Sequence, residues 1–313
     1  MERKKDLDIL KGFAILCVVL GHVICLVYDK NNYTNNLIFR FCYSFHMPLF
    51  FTISGYLDGK KDINNLWVEK KIDRLFRPWL IWTCIEVISG ILFNYSFESV
   101  FKSTPLWFLI NLFLFNIILY ICIRNKVSLK INLAGTIILF VFLYSILKID
   151  ILKNTILFYP FYIFGYTINQ KNINYRYKAN QYALLGSVLY IVSMFFYTYG
   201  IPEARQFILE FSGRINTITE SCLIILLILY SRFIVAVLGM IFVYNLISRI
   251  KIVHNILNYI GQYTMVIYIL SSYFFLYNTS SVLLTSGISF LLGITMPIII
   301  SNMLNDKIRK VLF

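Results

Sequence analysis

Charged side chains are scarce in this chain. They make up 14% of its 313 residues, whereas hydrophobic residues make up 59% and aromatic residues 18%. A soluble domain carries about a quarter of its residues as charges and about half as apolar side chains. The shortage of charge therefore excludes a soluble globular body and indicates a protein whose solvent is lipid.

Paired cysteines and metal-binding patterns are also lacking. The six cysteines all lie in apolar stretches without C-x-x-C spacing, so neither a disulfide framework nor a metal site is expected. No serine stands in a nucleophile-elbow motif, which excludes the common soluble hydrolase templates. The formal net charge of +14 does not indicate nucleic-acid binding, because the basic residues are confined to short segments between apolar runs.

The chain does contain apolar runs of about 20 residues, each long enough to cross a ~30 Å hydrocarbon core. We predict an all-α, polytopic integral membrane protein that forms a single transmembrane domain over residues 1–313. We also expect an amphipathic segment at 201–215 on the outer side. About ten transmembrane helices are expected, at 9–28, 37–57, 78–97, 105–123, 131–147, 155–169, 179–199, 218–248, 260–277 and 282–303.

The distribution of basic residues orients these helices. If the N-terminus is cytoplasmic, 20 of the 29 basic residues fall in inner segments and six in outer segments. Because cytoplasmic loops are enriched in Lys and Arg, both termini are predicted to be cytoplasmic and the protein to be a multi-pass protein of the plasma (inner) membrane. The same bias favours one long helix at 218–248, since a break there would invert the last two helices.

The first span carries ionisable groups on one face. Lys11 and His22 are eleven residues apart, nearly three turns, and lie ~16 Å apart along the helix axis. Asp8 precedes Lys11 by three residues and neighbours it on that face. Taken alone, the pattern fits two interpretations equally well. Either these residues are functional, or Lys11 extends to the headgroups and His22 is a satisfied core residue.

The second span contains the sequence HMPLFF, which begins at His46. By helical rise His46 lies ~14 Å below the outer boundary and His22 ~20 Å above the inner one, so both imidazoles are expected at one depth. Pro48 removes a backbone donor and favours a polar cavity beside His46. Imidazole suits general-base work, because its ordinary pKa is ~6.5. The third histidine, His254, lies in an inner amphipathic stretch and is interpreted as structural.

A basic inner loop follows the second span. Arg74 and Arg77 are three residues apart and share a helical face at the membrane boundary. Their charge fits two roles equally well: holding the loop in the cytoplasm, or binding a phosphorylated cytosolic ligand, since guanidinium groups suit phosphate.

Further polar groups inside the spans are functional candidates because burying them in lipid is costly. They include Glu86 and Asn111. The alternative for Glu86 is a structural ion pair with Arg232, which lies at a similar depth by helical rise.

The ordered motifs resemble those of acyltransferase family 3. They are LDILKGFAI at 7–15 with Gly21-His22, HMPLFF at 46–51 with SGY at 54–56, RLFRP at 74–78, LWFL at 106–109, Gly165-Tyr166, and Gly261 through YIL at 268–270. The match runs in order over nearly the whole chain, and its second motif is similar to that of sugar O-acetylases of the fucose 4-O-acetylase type. Two positions depart from the family pattern: Lys11 stands where arginine is common, and Ser271 stands where many members have a histidine.

The resemblance implies transfer of an acyl group, usually acetyl, from cytosolic acyl-CoA to a hydroxyl of a cell-envelope carbohydrate or lipid-linked glycan. His22 would be the catalytic base or acyl carrier, with His46 orienting it and Lys11 as basic partner on the donor side. Arg74, Arg77 and Lys11 would bind the acyl-CoA. The candidate acceptor-binding residues are Asp8, Glu86, Trp107 and Asn111.

Two other classes compete with an enzyme. A transporter or flippase for a lipid-linked sugar would also place charges at mid-membrane, although no repeated halves are visible. A non-catalytic sensor is expected to carry a further module, and the last predicted span is followed by only a short tail. Release of free CoA separates the enzyme from the transporter.

Overall fold

The computed structural model describes residues 5–27, 33–92, 106–147, 149–196, 218–276 and 282–313. Its described residues form helices and no strand. A π-helix at Ile72–Phe76 joins the helices Asn65–Lys71 and Arg77–Leu92. The α-helices are α1 (Lys5–Val27), α2 (Leu37–Asp58), α3 (Asn65–Lys71), α4 (Arg77–Leu92), α5 (Trp107–Arg124), α6 (Leu129–Leu147), α7 (Asp150–Gln170), α8 (Tyr175–Gln181), α9 (Ala183–Phe196), α10 (Ile218–Arg249), α11 (His254–Gln262), α12 (Thr264–Leu270), α13 (Val282–Met303) and α14 (Asp306–Leu312).

Several of these helices have the length and composition of membrane spans. Among the described residues six segments qualify: Lys5–Leu26, Leu37–Asp58, Asn65–Leu92, Trp107–Arg124, Ser231–Arg249 and Leu284–Met303. Large apolar side chains also face outward, with Leu184 82% exposed and Ile138 70% exposed. The prediction of an all-helical, multi-pass membrane protein is confirmed, while the number of ten spans and the orientation of the termini stay predictions.

Three predicted spans differ in extent from the observed helices. The chain is helical from Asn65 through the π-helix to Leu92, so the segment predicted at 78–97 begins 13 residues earlier. The segment predicted at 155–169 is the longer α7, 21 residues. The segment predicted at 260–277 is interrupted: α11 ends at Gln262, and α12 begins after Tyr263 and passes into a 3₁₀ turn at Ser271–Phe274.

Other predictions are met or lie outside the described residues. The long helix predicted at 218–248 is confirmed by α10, which has 32 residues without a break. The amphipathic segment predicted at 201–215 lies outside the described residues, as do the ends of the spans predicted at 78–97 and 179–199.

Close glycine contacts join α1 to α11. A Cβ added at Gly12 would overlap the carbonyl oxygen of Leu257, and one added at Gly261 would overlap that of Asp8. Small residues let helix backbones approach each other, which is a common packing mode inside membranes. The contact fixes α11 against the first turns of α1, close to Asp8.

A second glycine pair joins α2 to α7. Gly55 lies against the carbonyl oxygen of Tyr162, and Gly165 lies against that of Thr52, with no room for a Cβ at either position. The close approach brings the buried rings of α7 against α2 and α5. The largest described core cluster is centred here, on fully buried aromatic side chains that include Phe51, Phe115, Tyr159 and Tyr162.

Candidate active site

The neighbourhood of His46 is set by the packing of α2 on α1. The backbone of Gly21 lies directly against the ring of Tyr43, where a larger residue would overlap it. Tyr43 in turn meets the imidazole of His46 edge to face, with 4.7 Å between ring centroids. His46 is 2% exposed, and its Nδ1 lies 2.6 Å from the carbonyl oxygen of Cys42. Because a carbonyl can only accept, Nδ1–H is the donor, and the neutral ring keeps its lone pair on Nε2.

His22 lies beside this group. It is half-buried, although its chain neighbours Gly21 and Val23 are buried. His22 follows Gly21, which lies against the ring of Tyr43, and Tyr43 contacts His46. Both histidines therefore lie at the contact between α1 and α2, and their convergence at one depth stays a prediction.

Lys11 and Asp8 form the ion pair expected from their spacing. Lys11 Nζ lies 3.2 Å from Asp8 Oδ1, with Asp8 buried and Lys11 partly exposed. The pair adjoins the glycine contact between α1 and α11, because the carbonyl of Asp8 touches Gly261. The third histidine, interpreted as structural, makes a backbone contact: Nε2–H of His254 donates to the carbonyl of Ile247 at 2.8 Å.

Two adjoining cavities open beside the ends of α2 and α13. The first, called here the Asp58 cavity, has a volume of about 740 Å³ and reaches from Ser54 of α2 to the π-helix. The second, the Ser301 cavity, has a volume of about 750 Å³ and lies between the π-helix, α11 and the end of α13. Both are lined by Lys70, Arg74, Met265 and Phe313.

These cavities are strongly basic. The Asp58 cavity adds Lys61 and Lys71 to the shared cations, and the Ser301 cavity adds Arg77, Arg309 and Lys310. Few carboxylates offset them: Asp58 and Asp62 line the first cavity and Asp73 the second. Concave walls of one charge sign concentrate the field and favour an anionic ligand.

The two predicted arginines differ in their surroundings. Arg74 lies in the π-helix and lines both cavities. Arg77 begins α4, lines only the Ser301 cavity of the two and is held by Asp73 at 2.6 Å. A π-helix is uncommon and is often found at functional sites, because it shifts side chains from their α-helical positions.

Asp58 is the buried centre of this region, and sequence reasoning missed it. Its carboxylate receives Lys61 at 2.8 Å and Lys71 at 2.6 Å. The hydroxyl of Tyr162 donates to it at 3.2 Å and the indole of Trp67 at 3.4 Å. A carboxylate at the end of an apolar span with a lysine three residues later was the available sequence signal.

The remaining predicted residues lie apart from the cations. Glu86 on α4 accepts a hydrogen bond from Tyr273 at 3.5 Å, rather than showing the suggested pairing with Arg232. Asn111 is fully buried on α5, and its amide donates to Thr155 at 3.0 Å. Trp107 is half-buried at the start of α5 and stacks on Phe158, with 5.4 Å between ring centroids.

The arrangement defines a class of protein: a multi-pass membrane protein with two histidines at the contact between its first two helices and a basic chamber beside the ends of α2 and α13. The acyltransferase domain model of acyltransferase family 3 matches residues 4–304. The chain therefore belongs to this family of membrane acyltransferases.

Two curated relatives are similar to parts of the chain. Nodulation protein NolL of Sinorhizobium fredii is 29% identical over 187 residues, which cover 54% of this chain and 50% of that protein. Nodulation protein NolL of Mesorhizobium japonicum is 26% identical over 246 residues, which cover 68% of this chain and 64% of that protein. The chain thus matches between half and two thirds of the length of these relatives. No solved structure matches it.

Proposed function

We propose that the protein transfers an acyl group, acetyl in the first instance, from cytosolic acyl-CoA to a hydroxyl of a cell-envelope carbohydrate. The observation that carries the proposal is the pairing of two basic cavities with two neighbouring histidines in a member of an acyltransferase family. Acyl-CoA has a polyanionic end, which suits the basic cavities, and a reactive thioester end, which suits the histidines.

The donor binds with its phosphates among the cations of the cavities. Guanidinium and ammonium groups form charge-assisted hydrogen bonds to phosphate oxygens, which are about twice as strong as neutral ones. Arg74 faces both cavities and so contacts the ligand centrally. Lys11, partly exposed beside Asp8, supplies positive charge on the way to His22.

His22 is the catalytic residue of the transfer. It takes the proton from the acceptor hydroxyl, whose oxygen forms a bond to the acyl carbon while the carbon–sulfur bond breaks. The proton then passes to the departing thiolate, so the products are an ester and free CoA. If the acyl group first rests on the imidazole, the same bonds are exchanged in two steps. A positioned general base contributes roughly 10²–10⁴-fold to the rate.

His46 positions this chemistry. Its Nδ1 is committed to the Cys42 carbonyl, so Nε2 is left to orient His22 or the acceptor. Among the acceptor-contact candidates, Trp107 offers a half-buried aromatic face for a sugar ring, and Asp8 and Glu86 offer carboxylates. Asn111 keeps its carbonyl oxygen buried without a hydrogen-bond partner, which suits a fixed hydroxyl or water.

Release of free CoA tests the proposal against a transporter. Membranes that contain the protein are incubated with acetyl-CoA, and new thiols are measured with Ellman's reagent. The enzyme is expected to release CoA in step with O-acetyl groups appearing on envelope glycans. A glycan that crosses the membrane while no thioester is consumed would contradict the proposal and favour the transporter.

A further inference from the structure

The Ser301 cavity contains a buried hydroxyl without a partner. Ser301, near the end of α13, is 1% exposed, and its Oγ makes no hydrogen bond. A helical serine commonly donates to the carbonyl four residues earlier, and the buried hydroxyl here does not. Since buried polar groups are nearly always hydrogen-bonded, a buried hydroxyl without a partner at a cavity wall suits contact with a ligand.

The cavity that Ser301 lines is rich in cations. Five line the same cavity: Lys70, Arg74, Arg77, Arg309 and Lys310. Among the described side chains that line it, Asp73 is the one carboxylate, and it is paired with Arg77. A hydroxyl donor among guanidinium and ammonium groups is the chemistry that binds a phosphate.

Two of these cations come from α14, which is anchored to the rest of the protein. The indole of Trp82 donates to the carbonyl of Leu312 at 2.9 Å, and its ring stacks on Phe313. Arg309 is further oriented by Asp306 at 2.6 Å. The short C-terminal helix is thus held where Arg309 and Lys310 face the cavity.

The position of the Ser301 cavity indicates which phosphate of acyl-CoA it binds. Gln262, in its wall, follows Gly261, which touches Asp8 in the first turn of α1. Asp8 lies 14 residues before His22, ~21 Å along the helix. The Asp58 cavity instead reaches Ser54, eight residues or ~12 Å from His46. The Asp58 cavity therefore extends along α2 toward His46, whereas the Ser301 cavity adjoins the first turn of α1.

We infer that Arg309, Lys310 and Ser301 bind the 3′-phosphate on the ribose of acyl-CoA, while the diphosphate lies in the Asp58 cavity. The inference rests on the proposed function, because it takes acyl-CoA as the donor. The 3′-phosphomonoester belongs to the end of the molecule that is remote from the thioester. Its recognition would distinguish acyl-CoA from thioesters that lack it.

Binding of CoA and 3′-dephospho-CoA tests this assignment without an acceptor. Titrations use the purified full-length protein in detergent, followed by calorimetry at fixed ionic strength. The wild type is expected to bind CoA on the order of 10- to 100-fold more tightly, as for one or two charge-assisted hydrogen bonds. The Arg309→Gln/Lys310→Gln variant should lose most of this preference while its affinity for 3′-dephospho-CoA is unchanged.

Two further variants sharpen the test. Lys307→Gln changes a cation of the same helix that does not line the cavity, and it should keep the wild-type preference. Ser301→Ala should reduce the preference by a few-fold. The melting temperature of each variant establishes that it is folded.

The contradicting results are distinct. Equal binding of both ligands by the wild type would overturn the inference, and so would an unchanged preference in the Arg309→Gln/Lys310→Gln variant. An equal loss of affinity for both ligands in this variant would mean that Arg309 and Lys310 attract anions in general and do not bind the 3′-phosphate, and it would overturn the inference. Failure of the wild type to bind either ligand would overturn the acyl-CoA donor itself, and the inference with it.

Discussion

At the scale of single residues, the Asp58 carboxylate decides how the basic loop is held. It is fully buried and accepts from Lys61, Lys71, Tyr162 and Trp67. Two lysines pair with this one carboxylate, so the group as a whole keeps a net positive charge at the cavity wall. Removing one partner of a buried ion pair leaves an uncompensated charge, which costs far more than an exposed pair is worth.

Asp58→Asn is therefore expected to destabilise the protein by about 3–5 kcal/mol, because Lys71 loses its buried counter-charge. The measurement is thermal unfolding in detergent, followed by tryptophan fluorescence. Asp6→Asn is the matched control, since it removes an exposed pair with Arg176 and should cost less than about 1 kcal/mol. Similar losses for both variants would contradict the burial argument.

Arg74 is the residue for which the donor site predicts the clearest kinetic effect. Arg74→Gln should raise the KM for acetyl-CoA about tenfold or more while kcat changes little, because the lost contact holds the phosphates and not the reacting atoms. Initial rates of CoA release measure both constants. Lys130→Gln, an exposed cation that lines neither cavity, should behave as wild type. A fall in kcat at unchanged KM would contradict a role of Arg74 in donor binding.

At the scale of helices, two glycine pairs set the architecture around the site. Gly12 with Gly261 fixes α11 on α1, and Gly55 with Gly165 fixes α7 on α2. The second pair places the hydroxyl of Tyr162 on Asp58. Helix spacing at the glycines thus determines whether the buried carboxylate is satisfied.

Gly55→Ala and Gly165→Ala are each expected to destabilise the protein by about 1–3 kcal/mol or more, because the new methyl group overlaps a carbonyl oxygen. Gly135→Ala and Gly287→Ala are the controls, since nothing lies within 4 Å of a Cβ there. These helical positions should gain up to about 1 kcal/mol. The melting temperatures of the four variants are compared by thermal unfolding. Equal melting temperatures would contradict the close glycine contacts between α2 and α7.

Local features could be predicted from the sequence, and distant ones could not. The ion pair of Lys11 with Asp8 follows from a three-residue spacing, and α10 follows from the charge balance of the loops. Lys71 reaches Asp58 across 13 residues, and this pairing depends on how α3 folds back. Arg309 and Arg74 line the same cavity. Their placement depends on contacts between distant helices, for which a single sequence carries no signal.

The broken helix near the C-terminus shows another limit. Hydropathy treats 260–277 as one apolar run, yet α11 and α12 are separate and a 3₁₀ turn follows. The close approach of Gly261 to Asp8 fixes α11 in place. An average over residue hydrophobicity does not register such a contact.

At the scale of the whole molecule, positive charge of the described residues is concentrated in two adjoining cavities beside the ends of α2 and α13. The sequence assigned most basic residues to one side of the membrane, and the structure gathers seven of them around the two cavities: Lys61, Lys70, Lys71, Arg74, Arg77, Arg309 and Lys310. A polyanionic donor is attracted to this region by their summed field.

The KM for acetyl-CoA should consequently rise with ionic strength, with kcat nearly constant. Raising salt from roughly 50 to 500 mM shortens the Debye length from above 10 Å to below it, which screens the attraction. Rates of CoA release at several salt concentrations measure the effect. A KM that does not respond to salt would contradict an electrostatic donor site.

The central claim is that His22 performs acyl transfer from acyl-CoA to an envelope glycan. The most direct measurement is transfer of radiolabelled acetyl from acetyl-CoA to glycan in membranes that contain either the wild type or His22→Ala at equal amounts. The account predicts labelled glycan with the wild type and only background with His22→Ala, although the variant keeps the wild-type melting temperature. Wild-type labelling by a folded His22→Ala protein would contradict it.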